Sequence, residues 1–400
     1  MIFVKQANLK EGMRLAKPIY DKKGVLLYER DSKLTRQGIE SVHNFNIIGL
    51  YILEPAEPLP PLSEEDILFE KFQMVSTFAI QEEWKTMREK NKAPNIPNLV
   101  SQIVKNYGRL DHKVNFVQSL RSQEDKHYKH SLNVAILCAL ISHKMNIKLA
   151  EQNDLITCAL VHDIGKLDIP REVEMNAADP TEQDEDTMAK YEALGFQYIE
   201  QTFDSMPQVK RIAQQAQRQR TAIRKGNLDP NAKMSIGAKI LMVADKFDSI
   251  TAMNEHAEPT SEISAVRYLL DHPEEYDSTV ADALVDSINL LVPGCTVELT
   301  NGEKGLVITE NPKNVLKPVV LTFSDNSIVD LGQELIYGHL DVKDVMKTMD
   351  NRVAVDRGAM ESMFGMNSGS SGGGSSSGDG GSSGDGGNDE AIDPADLADF

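Results

Sequence analysis

Apolar and polar positions change rhythm three times along the chain. From residue 1 to about 58 the runs are short. "LAKPIYDKKGVLLY" alternates and predicts two strands joined by a turn at Asp21–Gly24. "LTRQGIESVHNF" has the spacing of a helix, and "IIGLYIL" is a short β-rich run. Residues 1–58 are therefore expected to form a small α+β module. "EPAEPLPPL", residues 54–62, carries four prolines and reads as a linker. With the helical pattern that follows, it makes residues 59–95 a linker-and-helix segment.

From about residue 63 to 292 the rhythm is helical. "HSLNVAILCALISHKM" (130–145), "KLAEQNDLITCALVHDIGK" (148–166) and "MSIGAKILMVADKFDSITA" (234–252) are amphipathic or almost wholly apolar, as the interior of a bundle requires. Residues 96–292 are read as the main helical domain. Beyond Pro293 alternation returns, with an Asn-Gly turn at 301–302 and Asp-Asn at 325–326, predicting a small β module over 293–350. A short helix at about 341–350 is expected to close it. The fold class is mainly α, flanked by two small modules.

Residues 366–400 differ in kind. Their Gly/Ser-rich run cannot bury a core and predicts a disordered tail. It ends in "NDEAIDPADLADF" and holds Asp379, Asp385, Asp389, Glu390, Asp393, Asp396 and Asp399 with no Lys or Arg. The tail reads either as a docking peptide for a protein partner or as a solubilising extension.

Composition narrows the function classes. Of 400 residues 40% are hydrophobic, enough for a sizeable core, and Lys+Arg 42 against Asp+Glu 61 leaves a net charge of −19. Such an excess of acid argues against broad binding to nucleic acid or anionic membranes. No apolar run reaches the roughly 18 residues of a membrane span, and "MIFVKQANLKEGMRL" lacks the features of a signal peptide. A soluble, cytoplasmic protein is expected. Cys138, Cys158 and Cys295 form no C-x-x-C pair and read as buried, reduced thiols.

Within the helical domain, several polar residues fall on apolar stripes. His130 shares a stripe with Val134, Leu137 and Ile141, and His162 with Leu155, Cys158 and Ala159. Asp163 follows Ile156 and Leu160, while Asp245 lies on the stripe of Ala238 and Leu241. All four therefore face inward. An unpaired buried carboxylate is costly. Two carboxylates and two imidazoles around one divalent cation remove that cost, and this donor set suits Zn, Mn or Fe. Each residue alone reads more simply as a satisfied core group. The adjacent His-Asp followed by Gly-Lys in "LVHDIGKLDIP" (160–170) is the more specific signal.

These motifs carry a resemblance. His130, His162-Asp163 and Asp245 resemble the H…HD…D pattern of the HD superfamily of metal-dependent phosphohydrolases. "HSLNVA", "HDIGKLDIP" and "ILMVADKFDSIT" are similar to its HD-GYP branch, whose activity is hydrolysis of cyclic di-GMP. "LKEGMRLAKPIYDKKGVLLYERDSKLT" and "VELTNGEKGLVITENPKNVLKPVVL" are similar to modules attached to such proteins. The resemblance implies an HD-type helical bundle. It also implies a first metal on His130, His162, Asp163 and Asp245, Asp163 acting in catalysis, and a cyclic dinucleotide or other phosphoester as substrate. Lys166 would hold a phosphate oxygen.

The departures are as specific as the match. Tyr191 stands where the branch has a histidine, and Ala216, Gln217 and Arg218 stand where it has His-His-Glu. The Gly-Tyr-Pro is absent, and "TAMNEHAEP" replaces the Arg-x-Tyr-Arg after the last aspartate. A second metal would thus lack three ligands, and one divalent ion is expected. Arg218 brings positive charge near that second position and is a candidate phosphate contact beside Lys166. Residues 207–225 hold Lys210, Arg211, Arg218, Arg220, Arg224 and Lys225 and no acid. They read either as an anion-binding patch, for a nucleotide or the acidic tail, or as a solvated helix face. Two functions remain open: a one-metal phosphohydrolase, or a degenerate module that binds a nucleotide or signalling partner without turnover.

Overall fold

The computed structural model describes residues 2–20, 25–53, 63–176, 180–229, 232–253 and 259–345. The turn at 21–24, the proline linker at 54–62, the distal part of the expected closing helix and the tail lie outside the described residues.

The N-terminal module contains strands β1 (Ile2–Lys5), β2 (Arg14–Leu15), β3 (Ile19–Tyr20) and β4 (Leu26–Tyr28), helix α1 (Arg36–Asn44) and strand β5 (Gly49–Leu53). β5 is central in an antiparallel three-stranded sheet of order β1-β5-β2, with Val4 opposite Leu50 and Leu15 opposite Ile52, while β3 and β4 form a hairpin. Val42, Leu15, Leu34 and Leu50 form a small core of this module.

The helical domain follows as α2 (Glu64–Lys90), α3 (Ile96–Tyr107), α4 (Lys126–Lys144), α5 (Leu149–Val161), α6 (Arg171–Met175), α7 (Glu182–Thr202), α8 (Pro207–Arg224), α9 (Ile236–Thr251), α10 (Glu262–Asp271) and α11 (Ser278–Val285). α2 and α7 begin with reciprocal capping boxes, Ser63 with Asp66 and Thr181 with Asp184, and the Ser235 hydroxyl accepts from Ala238 N at the start of α9. α4 is almost wholly buried and packs against α2, α5 and α9. Trp84 on α2 is fully buried, and its indole N–H donates to Leu160 O at 2.9 Å. It thereby satisfies a carbonyl in the last turn of α5, where the helix has no partner to offer.

Strands β6 (Thr296–Leu299), β7 (Lys304–Thr309), β8 (Val319–Thr322) and β9 (Ile328–Asp330) come next. After them come helix α12 (Glu334–Tyr337) and strand β10 (Val342–Val345). They build an antiparallel sheet of order β10-β6-β7-β8-β9. The expected closing helix is corrected here: residues 342–345 pair with β6, Val342 opposite Leu299 and Val345 opposite Val297. The β-branched valines of "DVKDV" favour this edge position on a pleated surface. The sheet shares one continuous core with the helices, Val297, Val307 and Val320 joining Leu284 and Leu291.

The three cysteines are buried and free. Among the described residues, no helix is long and apolar enough to cross a membrane.

One close approach positions the site. After α5 the chain turns through a short 3-10 segment (Ile164–Asp168) that packs on α7. A Cβ on Gly165 would lie 2.1 Å from Tyr191 O and 2.9 Å from Gly195 Cα. Gly165→Ala must force these backbones apart and is expected to cost at least about 2 kcal/mol. A urea midpoint unchanged from wild type would contradict this packing.

Candidate metal centre

The helix α5 ends at Val161, and His162 and Asp163 occupy the turn between it and the 3-10 segment. Adjacent residues on a regular helix point about 100° apart. The backbone at Asp163, with φ −109° and ψ 12°, leaves helical geometry and lets two neighbours reach one point. His130 comes from the N-terminal part of α4 and Asp245 from the middle of α9. The structure thus brings together all four residues singled out from the sequence. One donor atom from each lies within 4.8 Å of the others, and all four residues are buried. Among the described residues this is the one such group of three or more His, Cys, Asp or Glu.

The tautomers are set by neighbours. His162 Nδ1 donates to Ala159 O at 2.8 Å, which leaves Nε2 as the lone-pair nitrogen. Nε2 lies 3.5 Å from Asp163 Oδ1 and 3.9 Å from Asp245 Oδ1, too far for good hydrogen bonds. It has no hydrogen-bond partner among the described residues. A buried nitrogen left this way beside two carboxylates fits a divalent cation.

His130 is held from behind. Its Nδ1 donates to Asp248 Oδ2 at 2.6 Å, and its Nε2 faces Asp245 Oδ1 at 3.0 Å and Asp163 Oδ2 at 3.3 Å. Burial opposes charge on this ring, but hydrogen bonds to Asp163, Asp245 and Asp248 overcome it and push its pKa up to about 10. A divalent cation held by His130, His162, Asp163 and Asp245 would take the place of that proton.

Asp248 was not visible as a functional residue in the sequence. It has no exposed surface, and it accepts from Arg121 Nη2 at 2.6 and 2.9 Å, Gln118 Nε2 at 2.9 Å and Asn133 Nδ2 at 2.8 Å. Burial alone would raise its pKa, but Arg121 and then His130 hold the carboxyl well below the usual range. One signal was present: Asp248 follows Asp245 by three residues and so shares its helix face. Nothing local pointed to Arg121 or Gln118, which come from the loop before α4.

Two cations stand at the ligand carboxylates. Lys166 Nζ forms an ion pair with Asp163 Oδ2 at 2.5 Å, and Arg220 Nη1 donates to Asp163 Oδ1 at 3.0 Å and Asp245 Oδ2 at 3.2 Å. Burial works against both cations, but Asp163 and Asp245 raise both pKa values. Burial likewise works against ionised Asp163 and Asp245. For Asp163, the neighbouring His162 and Lys166 lead the opposing effects; for Asp245, the hydrogen bond with His130 and the charge of Arg220 do. Both carboxyls are held well below the usual range. The side chains of Lys166 and Arg220 keep 29% and 18% of their area exposed, against 1% for His162 and Asp163, so they form the solvent side of the site.

This corrects the expectation for Arg218. Arg218 is exposed, and Arg220, two positions along α8, carries the charge at the centre. Two residues are about 200° of helix turn, so both cannot face the same way. Ala216 is packed in the core. Tyr191 is half-buried, and its ring lies under Lys190 Nζ at 5.7 Å. The basic run also divides. Arg220 turns inward, Arg224 pairs with Glu192 at 2.8 Å and Lys210 with Asp204 at 3.1 Å, leaving Arg211, Arg218 and Lys225 exposed.

Residues 127–250 match the family model of the HD domain. No curated protein matches the chain. Among solved structures, a protein described as "Bd1817, a HDG"Y"P protein from Bdellovibrio bacteriovorus" aligns at 13% identity over 71% of this chain and 98% of its own, with a TM-score of 0.41. A likeness this loose carries no argument.

Asp248→Asn keeps the shape but weakens the grip on His130. Titration calorimetry with Mn²⁺ is expected to show affinity lower by about 10–100-fold, the usual effect of losing a group that orients a ligand. Unchanged affinity would mean that His130 is positioned by packing alone.

Proposed function

With residues 127–250 an HD domain, the domain of a family of metal-dependent phosphohydrolases, we propose that this chain is an HD-GYP-like phosphohydrolase working with a single divalent ion. The observation that carries the reading is the four-residue cluster with the unpartnered His162 Nε2 at its centre. His130, His162, Asp163 and Asp245 would hold the ion, whether Fe, Mn or Zn. When bound, a divalent ion supplies Lewis acidity, polarising a phosphoryl oxygen and acidifying water.

The chain's own residues then have separate tasks. Asp248 keeps the His130 Nδ1 proton turned away from the ligands. The surrounding apolar helices keep bulk water from the carboxylates, which strengthens every charge interaction there. Lys166 and Arg220, at the open side, are the groups placed to meet the non-bridging oxygens of a phosphoester. A phosphodiester such as cyclic di-GMP is the substrate class this reading favours. Asp163→Ala removes a ligand and the partner of both cations. It is expected to abolish metal retention by elemental analysis, and turnover of phosphodiesters with it. Bound metal in the variant equal to wild type overturns the assignment.

One observation favours a second reading, a module that binds without turnover. Arg220 already bridges the two ligand carboxylates with positive charge, and together with Lys166 it balances Asp163 and Asp245 before any ion arrives. Arg220→Ala is therefore expected to bind Mn²⁺ about tenfold more tightly, because a like charge beside the cation is removed. Equal affinity in calorimetry would show that Arg220 does not oppose the ion. Wild-type protein loaded with metal and inert toward every phosphodiester would leave the binding module as the better reading.

A further inference from the structure

Helix α2 covers the bundle with one face and leaves the opposite face open. Phe69, Gln73, Ser76, Ile80, Trp84 and Met87 turn inward and are buried. On the outer side Ile67, Leu68 and Val75 are 41%, 64% and 52% exposed. One exposed apolar residue is ordinary, but several along a single helix face mark an interaction surface.

The spacing fixes the kind of partner. Leu68, Lys71, Val75, Phe78, Glu82 and Lys85 follow one another at intervals of three, four, three, four and three. Phe78 is half-buried, and the other five are exposed. The intervals average 3.5 residues, the period at which one helix presents a continuous seam to another helix. A strand, a loop or a small molecule makes no such demand.

The order of the residues fixes which helix. Set a second α2 antiparallel to the first, about an axis passing between Ser76 and Thr77. Val75 of each copy then meets Phe78 of the other, and Lys71 meets Glu82. Leu68 meets the methylene stem of Lys85. Apolar layers lie at the centre, with a layer of opposite charges on each side. A parallel pair would instead set Lys71 against Lys71 and Glu82 against Glu82. Neither Lys71 nor Glu82 has an ion-pair partner among the described residues. A face that complements itself across a two-fold axis is the signature of contact between identical chains.

We propose that the outer face of α2 is the interface of a symmetric homodimer, built from two antiparallel α2 helices in contact from Leu68 to Lys85. The contact is about 26 Å long. It is short and half polar, so a dissociation constant of about 10–100 µM is expected. The polar layers set direction and register rather than strength. The inference does not rest on the metal centre, because α2 supplies none of the four residues clustered there.

Sedimentation velocity of the full chain, from about 1 to 300 µM in about 0.15 M salt to screen the net negative charge, tests the proposal. The sedimentation coefficient should rise from monomer towards dimer across this range. Val75→Glu puts two unpaired carboxylates into the central layers and should weaken association at least about tenfold. Lys71→Glu sets like charges opposite each other and should weaken it about tenfold. Adding Glu82→Lys to Lys71→Glu reverses both members of the pair and should return the constant to within about threefold of wild type. All three positions are exposed, so far-UV circular dichroism should stay as in wild type. A monomer over the whole range overturns the proposal and leaves the face to a different protein or another part of this chain. A dimer indifferent to Val75→Glu forms through another surface and overturns it too. A dimer weakened by Lys71→Glu and not restored by the second exchange overturns the antiparallel pairing.

Discussion

Three aspartates stand inside an apolar helical bundle, and the arrangement around them is governed by the need to neutralise their charge. Asp163, Asp245 and Asp248 are each at most 8% exposed. Carboxylates at this depth are tolerated only when paired and hydrogen-bonded. Five side chains meet that need: His130 between all three, His162 beside two, Arg121 behind, Lys166 and Arg220 in front. Removing one partner strands a charge, which typically costs about 3–5 kcal/mol. The site is therefore a structural keystone of the bundle as well as its chemical centre.

That requirement explains local features that look like irregularities. The break after α5 lets neighbouring His162 and Asp163 converge. The 3-10 segment that follows brings Lys166 back onto Asp163, and the Gly165–Gly195 contact allows α7 to close over it. The Trp84 indole meets a carbonyl near the helix end that the break leaves exposed. On the other side, the loop before α4 is drawn inward because Gln118 and Arg121 must reach Asp248. The N-terminal module docks on that same loop.

The division of charge also bears on the proposal of a single ion. A pair of carboxylates facing two imidazoles suits one divalent ion, and the guanidinium of Arg220 lies against the other lone pairs of the same carboxylates. Where the HD-GYP pattern has further histidines, this chain has a half-buried tyrosine, a packed alanine and a half-buried glutamine. A fixed cation in place of ligands changes the electrostatics of the site without disturbing its fold, because a bridging guanidinium satisfies the carboxylates geometrically as a metal would.

What the sequence determined by itself was whatever periodicity carries. His130, His162, Asp163 and Asp245 were legible because polar residues on apolar stripes have to point inward, whatever they meet there. The N-terminal α+β module, the long helices and the alternating strands were legible for the same reason. Only the tertiary structure decided which charges meet. Asp248 finds Arg121 across 127 residues, and no local pattern encodes such a pairing. The choice of Arg220 over Arg218 depends on how α8 is rotated against α9, which packing sets. Residues 342–345 became a strand because β6 offered an unpaired edge, an opportunity that exists only once the sheet has formed.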